Sequence, residues 1–147
     1  MSTFGTISIN GKNYVERLQV FPFEVNITQN GQILTQQRVV LPGVADFLLK
    51  GLTRQTIVAG TASGRAFKFK LGNTDGAVWY MAGGLGGTTD RVLDTLIFGN
   101  GQFPYPVIPG IFYSASSSIL YEIEDVSQNQ PYTIYGAFHG SYLLPTS

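Results

Sequence analysis

A strict alternation of apolar and polar residues at positions 21–28 constrains the fold of this chain more than any other feature. Its apolar members are Phe21, Phe23, Val25 and Ile27. Because neighbouring side chains of a β-strand point to opposite faces, a period of two predicts a strand with one buried face. The pair Asn30-Gly31 follows directly, and such a pair between apolar runs predicts a β-hairpin with the segment 32–41.

Further strands are predicted along the chain, with turn residues between them. They cover residues 4–9 (a weak strand or an extended arm that ends at the turn Asn10-Gly11), 44–52, 57–59, 65–71, 77–81, 92–98, 119–123 and 132–144. The segment 44–52 also matches a short helix, but Gly51 weakens a helix interior and favours the strand. Phe103–Pro109 contains three prolines. Proline lacks an amide donor, so this segment is predicted at an edge and not inside a sheet.

These patterns predict an all-β chain, an antiparallel β-sandwich, jelly roll or small barrel of about eight strands. We expect a sandwich or jelly roll. A length of 147 residues is typical of one domain, and no linker divides it. We therefore expect a single β-domain over residues 1–147. Residues 1–9 and 143–147 are candidates for extended arms, because termini are ordered only where something ties them down.

The chain is short of charged residues. They make up 12% of it, about half the share of roughly 25% in ordinary soluble domains, and the net charge is zero. A weakly charged surface is easily covered by a partner, because few charges lose their hydration. A monomer with a polar exterior remains the alternative. Without a basic stripe we expect no nucleic-acid partner, and without a long apolar run we expect no membrane span.

Residues with catalytic or metal-binding chemistry are few. His139 is the single histidine and cysteine is absent, which disfavours a metal site and a thiol nucleophile. Glu122 and Glu124 share a strand face about 6–7 Å apart, compatible with a glycosidase pair but more typical of a solvated face. The glycine-rich segment 82–91 lacks the lysine of a phosphate-binding loop and reads as a loop that orders against a neighbour. We expect no enzyme activity, no cofactor and no metal.

Aromatic and apolar residues near prolines, glycines and the chain ends are candidates either for core packing or for contacts with other subunits. The residues selected as candidate subunit contacts are Phe4, Ile7, Leu85, Phe103, Tyr105, Phe112, Tyr113 and Tyr142.

Three short motifs in the C-terminal third occur in a characteristic order. They are Phe103-Pro104-Tyr105-Pro106, then Ile119-Leu120-Tyr121-Glu122-Ile123, then Phe138-His139-Gly140-Ser141-Tyr142. In this order, over residues 97–144, the chain resembles small structural proteins of tailed bacteriophages. The resemblance implies a virion component made in the host cytoplasm, and within that class a capsid decoration (cement) protein on the capsid surface.

The resemblance further implies partners of two kinds: copies of the same chain in a dimer or trimer, and the major capsid protein or other virion proteins. Two alternatives stay open. One is another phage component, such as a head–tail connector, a tail protein or a head-fibre protein. The other is a carbohydrate-binding jelly roll used in host attachment.

Overall fold

The computed structural model of the chain describes residues 6–63, 65–73, 79–81, 91–99, 104–127 and 131–146. These residues form β-strands and one turn of 3-10 helix at Asp94–Leu96. The strands are β1 (Thr6–Ile9), β2 (Lys12–Ile27), β3 (Ile33–Val40), β4 (Asp46–Val58), β5 (Thr61–Ser63), β6 (Phe67–Gly72), β7 (Trp79–Met81), β8 (Val92–Leu93), β9 (Tyr105–Tyr113), β10 (Ser118–Asp125) and β11 (Tyr132–Pro145). The predicted all-β class is confirmed.

The strands form two antiparallel sheets. The six-stranded sheet has the order β1-β2-β11-β4-β5, and β9 also pairs with β4. The five-stranded sheet has the order β3-β10-β6-β7, and β8 also pairs with β6. Their inner faces pack together around one core, as in a β-sandwich.

The strand pairing is nested from the ends of the chain inwards. β2 pairs with β11, β3 with β10, β4 with β9, and β6 with β7. Pairing of β11 with β4 joins two of these strand pairs into the six-stranded sheet, and pairing of β10 with β6 joins the other two into the five-stranded sheet. This is the arrangement of a long antiparallel hairpin rolled up on itself, which is the eight-strand jelly roll. The remaining strands β1, β5 and β8 are short additions at sheet edges.

The predicted hairpin at Asn30-Gly31 is wrong in its pairing, although the turn exists. Gly31 has a φ of +67°, as expected for a tight turn. The strands on either side separate, however: β2 joins the six-stranded sheet and β3 the five-stranded sheet. An Asn-Gly hairpin does occur at Asn10-Gly11, where φ values of 52° and 79° connect β1 to β2.

The other predicted strands agree with the structure except near residue 92. Residues 44–52 and 57–59 fall largely within the single strand β4, and the proline-rich segment forms the edge strand β9. The strand predicted over 92–98 is wrong beyond Leu93, because Asp94 begins a 3-10 turn. There Asp94 is fully buried, and its carboxylate forms an ion pair with the Arg54 guanidinium, with 2.7 Å between Oδ2 and Nε. Burial raises the pKa of Asp94, and the Arg54 guanidinium opposes that rise.

The segments expected as arms are paired where the structure describes them. Thr6–Ile9 is β1, and residues 143–145 belong to β11. Residues 1–5, Ser147 and residues 82–90 of the glycine-rich segment lie outside the described part of the chain.

The centre of the core is aromatic. Phe23 and Phe138 come from the six-stranded sheet, and Phe69 and Tyr121 from the five-stranded sheet. The ring centroids of Phe23 and Tyr121 lie 4.8 Å apart, and those of Phe23 and Phe138 lie 5.1 Å apart. Burial raises the pKa of Tyr121 to about 12, so its hydroxyl stays neutral between the sheets. Such ring pairs stabilise by about 0.5–1.5 kcal/mol beyond their buried area.

Asp125, at the end of β10, connects the two segments in which the chain passes from one sheet to the other, between β2 and β3 and between β10 and β11. Its Oδ1 accepts hydrogen bonds from the Tyr132 hydroxyl at 2.6 Å and the Ser127 amide at 3.0 Å. Its Oδ2 accepts one from the Gly31 amide at 3.0 Å. Burial raises the pKa of Asp125, but these hydrogen bonds outweigh burial and leave it below its ordinary value. The ionised carboxylate therefore ties the turn after β2 to the start of β11.

Two glycines of β11 let neighbouring strands pack closely. A Cβ at Gly136 would lie 2.1 Å from Phe23 Cζ, in the space that the phenylalanine ring fills. A Cβ at Gly140 would lie 2.0 Å from the carbonyl oxygen of Leu48, which is backbone and has little freedom to move. Both positions therefore require glycine.

We expect Gly140→Ala to lower the free energy of unfolding by at least about 2 kcal/mol, because the added methyl group would push β11 away from β4. The midpoint of urea unfolding measures this. Ala137→Ser, on the same strand but facing outwards, is the matched control and should change stability by less than about 1 kcal/mol. Equal midpoints for the glycine variant and the unaltered chain would contradict the close approach.

Candidate functional site

The outer face of the six-stranded sheet presents a band of uncharged residues. Cross-strand register aligns positions of β2, β11, β4 and β9 in transverse rows on this face. We call three adjacent rows the outer band: Leu18, Ser141, Leu48 and Phe112; Val20, His139, Gly51 and Pro106; Pro22, Ala137 and Thr53. None of these positions carries a charged side chain at neutral pH, when His139 is unprotonated.

Large apolar side chains of the outer band are open to solvent. Leu18 is 85% exposed, Val20 45% and Phe112 41%. The opposite face of β2 carries Phe21 and Phe23, which pack into the core. β2 is thus apolar on both faces here, although a solvent-facing strand surface is usually polar. Leu18 and Val20 are neighbours on this face of β2, and Phe112 lies on the same face of the sheet beyond β11 and β4. Exposed large apolar side chains that share one sheet face can mark a binding surface.

Charged residues begin at both ends of the outer band. At one end the Glu16 carboxylate binds the Lys50 ammonium. The stem of Lys50 starts within the band, at the bulge of β4 between Leu48 and Gly51, and its charge lies beside Glu16. At the other end Glu24 of β2 lies beside Tyr135 of β11 and accepts a hydrogen bond from its hydroxyl. The uncharged surface therefore has defined limits along the strands.

A cleft of about 310 Å³ lies at the centre of the outer band. Its described lining consists of Leu18, Gln19, Val20, Lys50, Gly51, Pro104, His139 and Gly140. His139 and Thr53 meet through a contact of 2.8 Å between Nε2 and Oγ1, which fixes the imidazole against the sheet. Burial lowers the pKa of His139, so the imidazole is neutral at neutral pH. Beside it, the Ser141 hydroxyl is buried and has no hydrogen-bond partner among the described residues.

The charged residues of the five-stranded sheet form a separate cluster. Arg91 donates to Glu122 at 2.7 Å and to Glu124 at 3.3 Å. Lys70 Nζ lies 3.7 Å from the same Glu122 oxygen. Arg91, Lys70 and Glu122 are all buried, so the expected solvated face is wrong for Glu122, whereas the Glu124 side chain is 28% exposed. Two carboxylates held by one guanidinium form a structural ion-pair network.

The predicted contact residues are divided among several places. Tyr105 and Phe112 are partly exposed on β9, and Phe112 belongs to the outer band. Ile7 of β1 packs against a small second cluster formed by Tyr14, Leu48 and Leu143.

Two of the predicted contact residues, both tyrosines, face inwards. Tyr113 is 3% exposed, and its hydroxyl donates to the Gly72 carbonyl at 3.0 Å. Tyr142 is 6% exposed and stacks edge-on with Phe21. Neither side chain exposes enough surface in the isolated chain to contact a partner. Phe4, Leu85 and Phe103 lie outside the described residues.

Leu18 and Val20, the exposed large apolar residues that β2 contributes to the outer band, are not among the contact residues predicted from the sequence. Their signal was present: in the segment 18–23 five of six residues are apolar or proline, so both strand faces are apolar. The sequence predicts neither a catalytic nor a metal-binding role for His139, and it cannot show that this residue lies in the outer band, because its neighbours on β2 and β4 are distant in sequence.

No family model matches this chain, and no curated protein or solved structure matches it either. The described residues contain no group of three or more histidine, cysteine or acidic side chains placed to hold a metal ion. Across the same residues no helix is long and apolar enough to cross a membrane.

We expect the stability of the chain to fall between pH 8 and pH 5 through His139. Its pKa is lowered by burial, so the unfolded imidazole binds a proton more readily than the folded one. The free energy of unfolding should decrease as the pH drops below about 6.5 and level off below the folded-state pKa. Urea unfolding at several pH values should show this decrease in the unaltered chain and a flatter dependence in His139→Gln. Equal pH dependence of the two proteins would be inconsistent with a buried neutral imidazole.

Proposed function

We propose that this chain is a virion structural protein, and specifically a capsid decoration protein that binds and stabilises the major capsid lattice. The observation that carries the proposal is the outer band, an exposed apolar surface on a rigid sheet. Binding of another subunit would remove Leu18, Val20 and Phe112 from water. Apolar burial contributes roughly 25 cal/mol per Å², which favours association.

The charge distribution supports binding through this face. The eleven positions of the outer band carry no charge, so a partner that covers them meets one charged side chain in the cleft, Lys50, whose ammonium is already paired with Glu16. The carboxylates of Glu16 and Glu24 lie at the borders of the band. An apolar centre with a polar rim is the usual composition of protein–protein interfaces.

The fold and the sequence motifs agree with a place in a virion. Jelly rolls occur in viral capsid proteins, although also in lectins and other proteins. Of the three motifs that resemble phage structural proteins, the second lies within β10, the third lies within β11, and Tyr105-Pro106 of the first begins β9. The last of them contributes His139 and Ser141 to the outer band. The motif resemblance and the docking surface thus involve the same strand.

Homo-oligomers are part of this proposal. β1 and β3 each pair on one side only among the described residues, so each has an edge that another strand can join. Addition of a strand to such an edge would hold copies together as a dimer or trimer. A head–tail connector, tail or head-fibre protein would use the same surfaces. The position of the chain in a virion reconstruction distinguishes these roles from decoration of the capsid.

We expect virions assembled without this chain to release their DNA at a lower temperature, and added purified protein to restore the higher temperature. Leu18→Asp should abolish both binding to capsids and this restoration, because it places a charge in the apolar interface. Leu96→Asp is the matched control, since Leu96 is 63% exposed in the 3-10 turn and lies outside both the outer band and the proposed edges. Circular dichroism should show both variants folded. Undiminished capsid binding by Leu18→Asp would refute docking through the outer band.

One observation favours saccharide binding as a second candidate. Tyr135 is 45% exposed on the outer face, beyond the band, with Glu24 and Gln55 beside it. An exposed ring flanked by carboxylate and amide groups can stack on a sugar and bind its hydroxyls.

Saccharide binding predicts a signal on a glycan array that Tyr135→Ala abolishes, because the ring supplies the stacking surface. Tyr105→Ala, which alters a similarly exposed tyrosine on β9, serves as the control and should keep the signal. An array without signal for the unaltered chain would exclude this second candidate and leave the first unaffected.

A further inference from the structure

The cleft in the outer band is large enough to hold one side chain of a partner, and we call it the socket. Its volume of about 310 Å³ is at the lower limit of clefts that hold small ligands, which range from about 300 to 1,000 Å³. Leu18 and Val20 of β2 form one side, and Pro104 lies on the other. Gly51 leaves the space between them open because it has no side chain.

The size of the outer band argues against a second copy lying flat on it. Three rows across four strands, at about 4.8 Å between strands and about 6.7 Å between rows, cover about 400 Å². A stable interface buries about 800 Å² on each partner. The apolar rows alone are about half the size of one side of a stable interface, which favours a projecting or extended segment of a partner over a sheet that lies flat on the band.

The charges around the cleft define the chemistry of that segment. Among the described lining residues Lys50 is the one with a permanent charge, and Glu16 already binds it. His139 is neutral, and its Nε2 is occupied by Thr53. A carboxylate or ammonium group entering the cleft would lose its hydration without finding a free charged partner there. An uncharged apolar side chain carries no such penalty.

We propose that this cleft binds one large apolar side chain, aliphatic or aromatic, from an extended segment of a partner subunit. The inference rests on the proposed function for the existence of the partner, and it adds the chemistry of the anchoring residue. Apolar anchors seated in preformed pockets commonly dominate the binding energy of protein interfaces.

Protonation of His139 would weaken this binding. The groups that face the imidazole are Val20 from β2, Gly51 and Thr53 from β4, and Pro104 before β9, with Lys50 as the nearest charged residue. A second positive charge beside Lys50 would hold water in the cleft and oppose its replacement by an apolar group. Binding is therefore expected to be tighter at pH 8 than at pH 5.

Nuclear magnetic resonance with the isotope-labelled chain tests the socket. The probes are N-acetyl-leucinamide and N-acetyl-phenylalaninamide, with N-acetyl-lysinamide and N-acetyl-aspartate amide as charged controls. The apolar probes should shift the amide signals of Gly51, His139 and Gly140 saturably, with a dissociation constant on the order of millimolar. The charged probes should leave those signals unchanged.

Variants make the result specific to the cleft. Leu18→Ala with Val20→Ala should weaken binding of N-acetyl-leucinamide at least about fivefold, because one side of the socket is lost. Val40→Ala, on the opposite sheet, should leave it unchanged. His139→Gln should bind equally at pH 5 and pH 8. Charged probes that shift the same signals, or apolar probes that shift none, would overturn the proposal.

The outcomes separate this inference from the proposed function. If Leu18→Asp loses capsid binding but the unaltered chain binds no apolar probe, the docking face is retained and the side-chain socket is rejected. If the unaltered chain binds the apolar probes but Leu18→Asp still binds capsids normally, the socket is retained and docking on capsids through this face is rejected.

Discussion

The pairing of the last strand with the first long strand is the constraint on which the rest of the structure depends. β11 forms a continuous antiparallel ladder with β2 from Tyr132 to Pro145, and it pairs with β4 on its other side. It therefore lies at the centre of the six-stranded sheet. Strands more than a hundred residues apart must meet before this sheet can form, which makes the topology strongly non-local. Gly136 and Gly140 allow that meeting, because side chains there would collide with Phe23 and Leu48.

The same strand connects the core to the candidate site. Its inward residues, such as Phe138, pack among the rings between the sheets, and its outward residues include His139. The outer band is consequently supported on strands that are already paired with one another, so the backbone beneath its side chains is in place before a partner binds. Preorganised surfaces lose less conformational entropy on binding, so even a small apolar band can anchor a partner segment.

The two sheets use charge differently. The outer face of the five-stranded sheet buries Lys70, Arg91 and Glu122 in an ion-pair network, whereas the outer band of the six-stranded sheet is uncharged and partly open. Buried ions that pair with one another within the chain offer little to a partner. The uncharged face has no such internal partners for its apolar residues. This asymmetry is the physical reason for assigning binding to the six-stranded sheet.

By itself the sequence determined the all-β class, the strand positions around Phe23, Phe69 and Tyr121, the turn at Asn30-Gly31 and the edge position of the proline-rich strand. These features depend on local alternation and on backbone restrictions that neighbouring residues impose. Partner choice was decided only by the tertiary structure, because alternation shows which face of β2 is buried and not which strand lies beside it. Thus β2 pairs with β11 and not with β3, and Leu18, Val20 and His139 come together from distant segments. The outer band exists only after that pairing, which is why a residue-by-residue reading selected Tyr113 and Tyr142, whose side chains the jelly roll encloses.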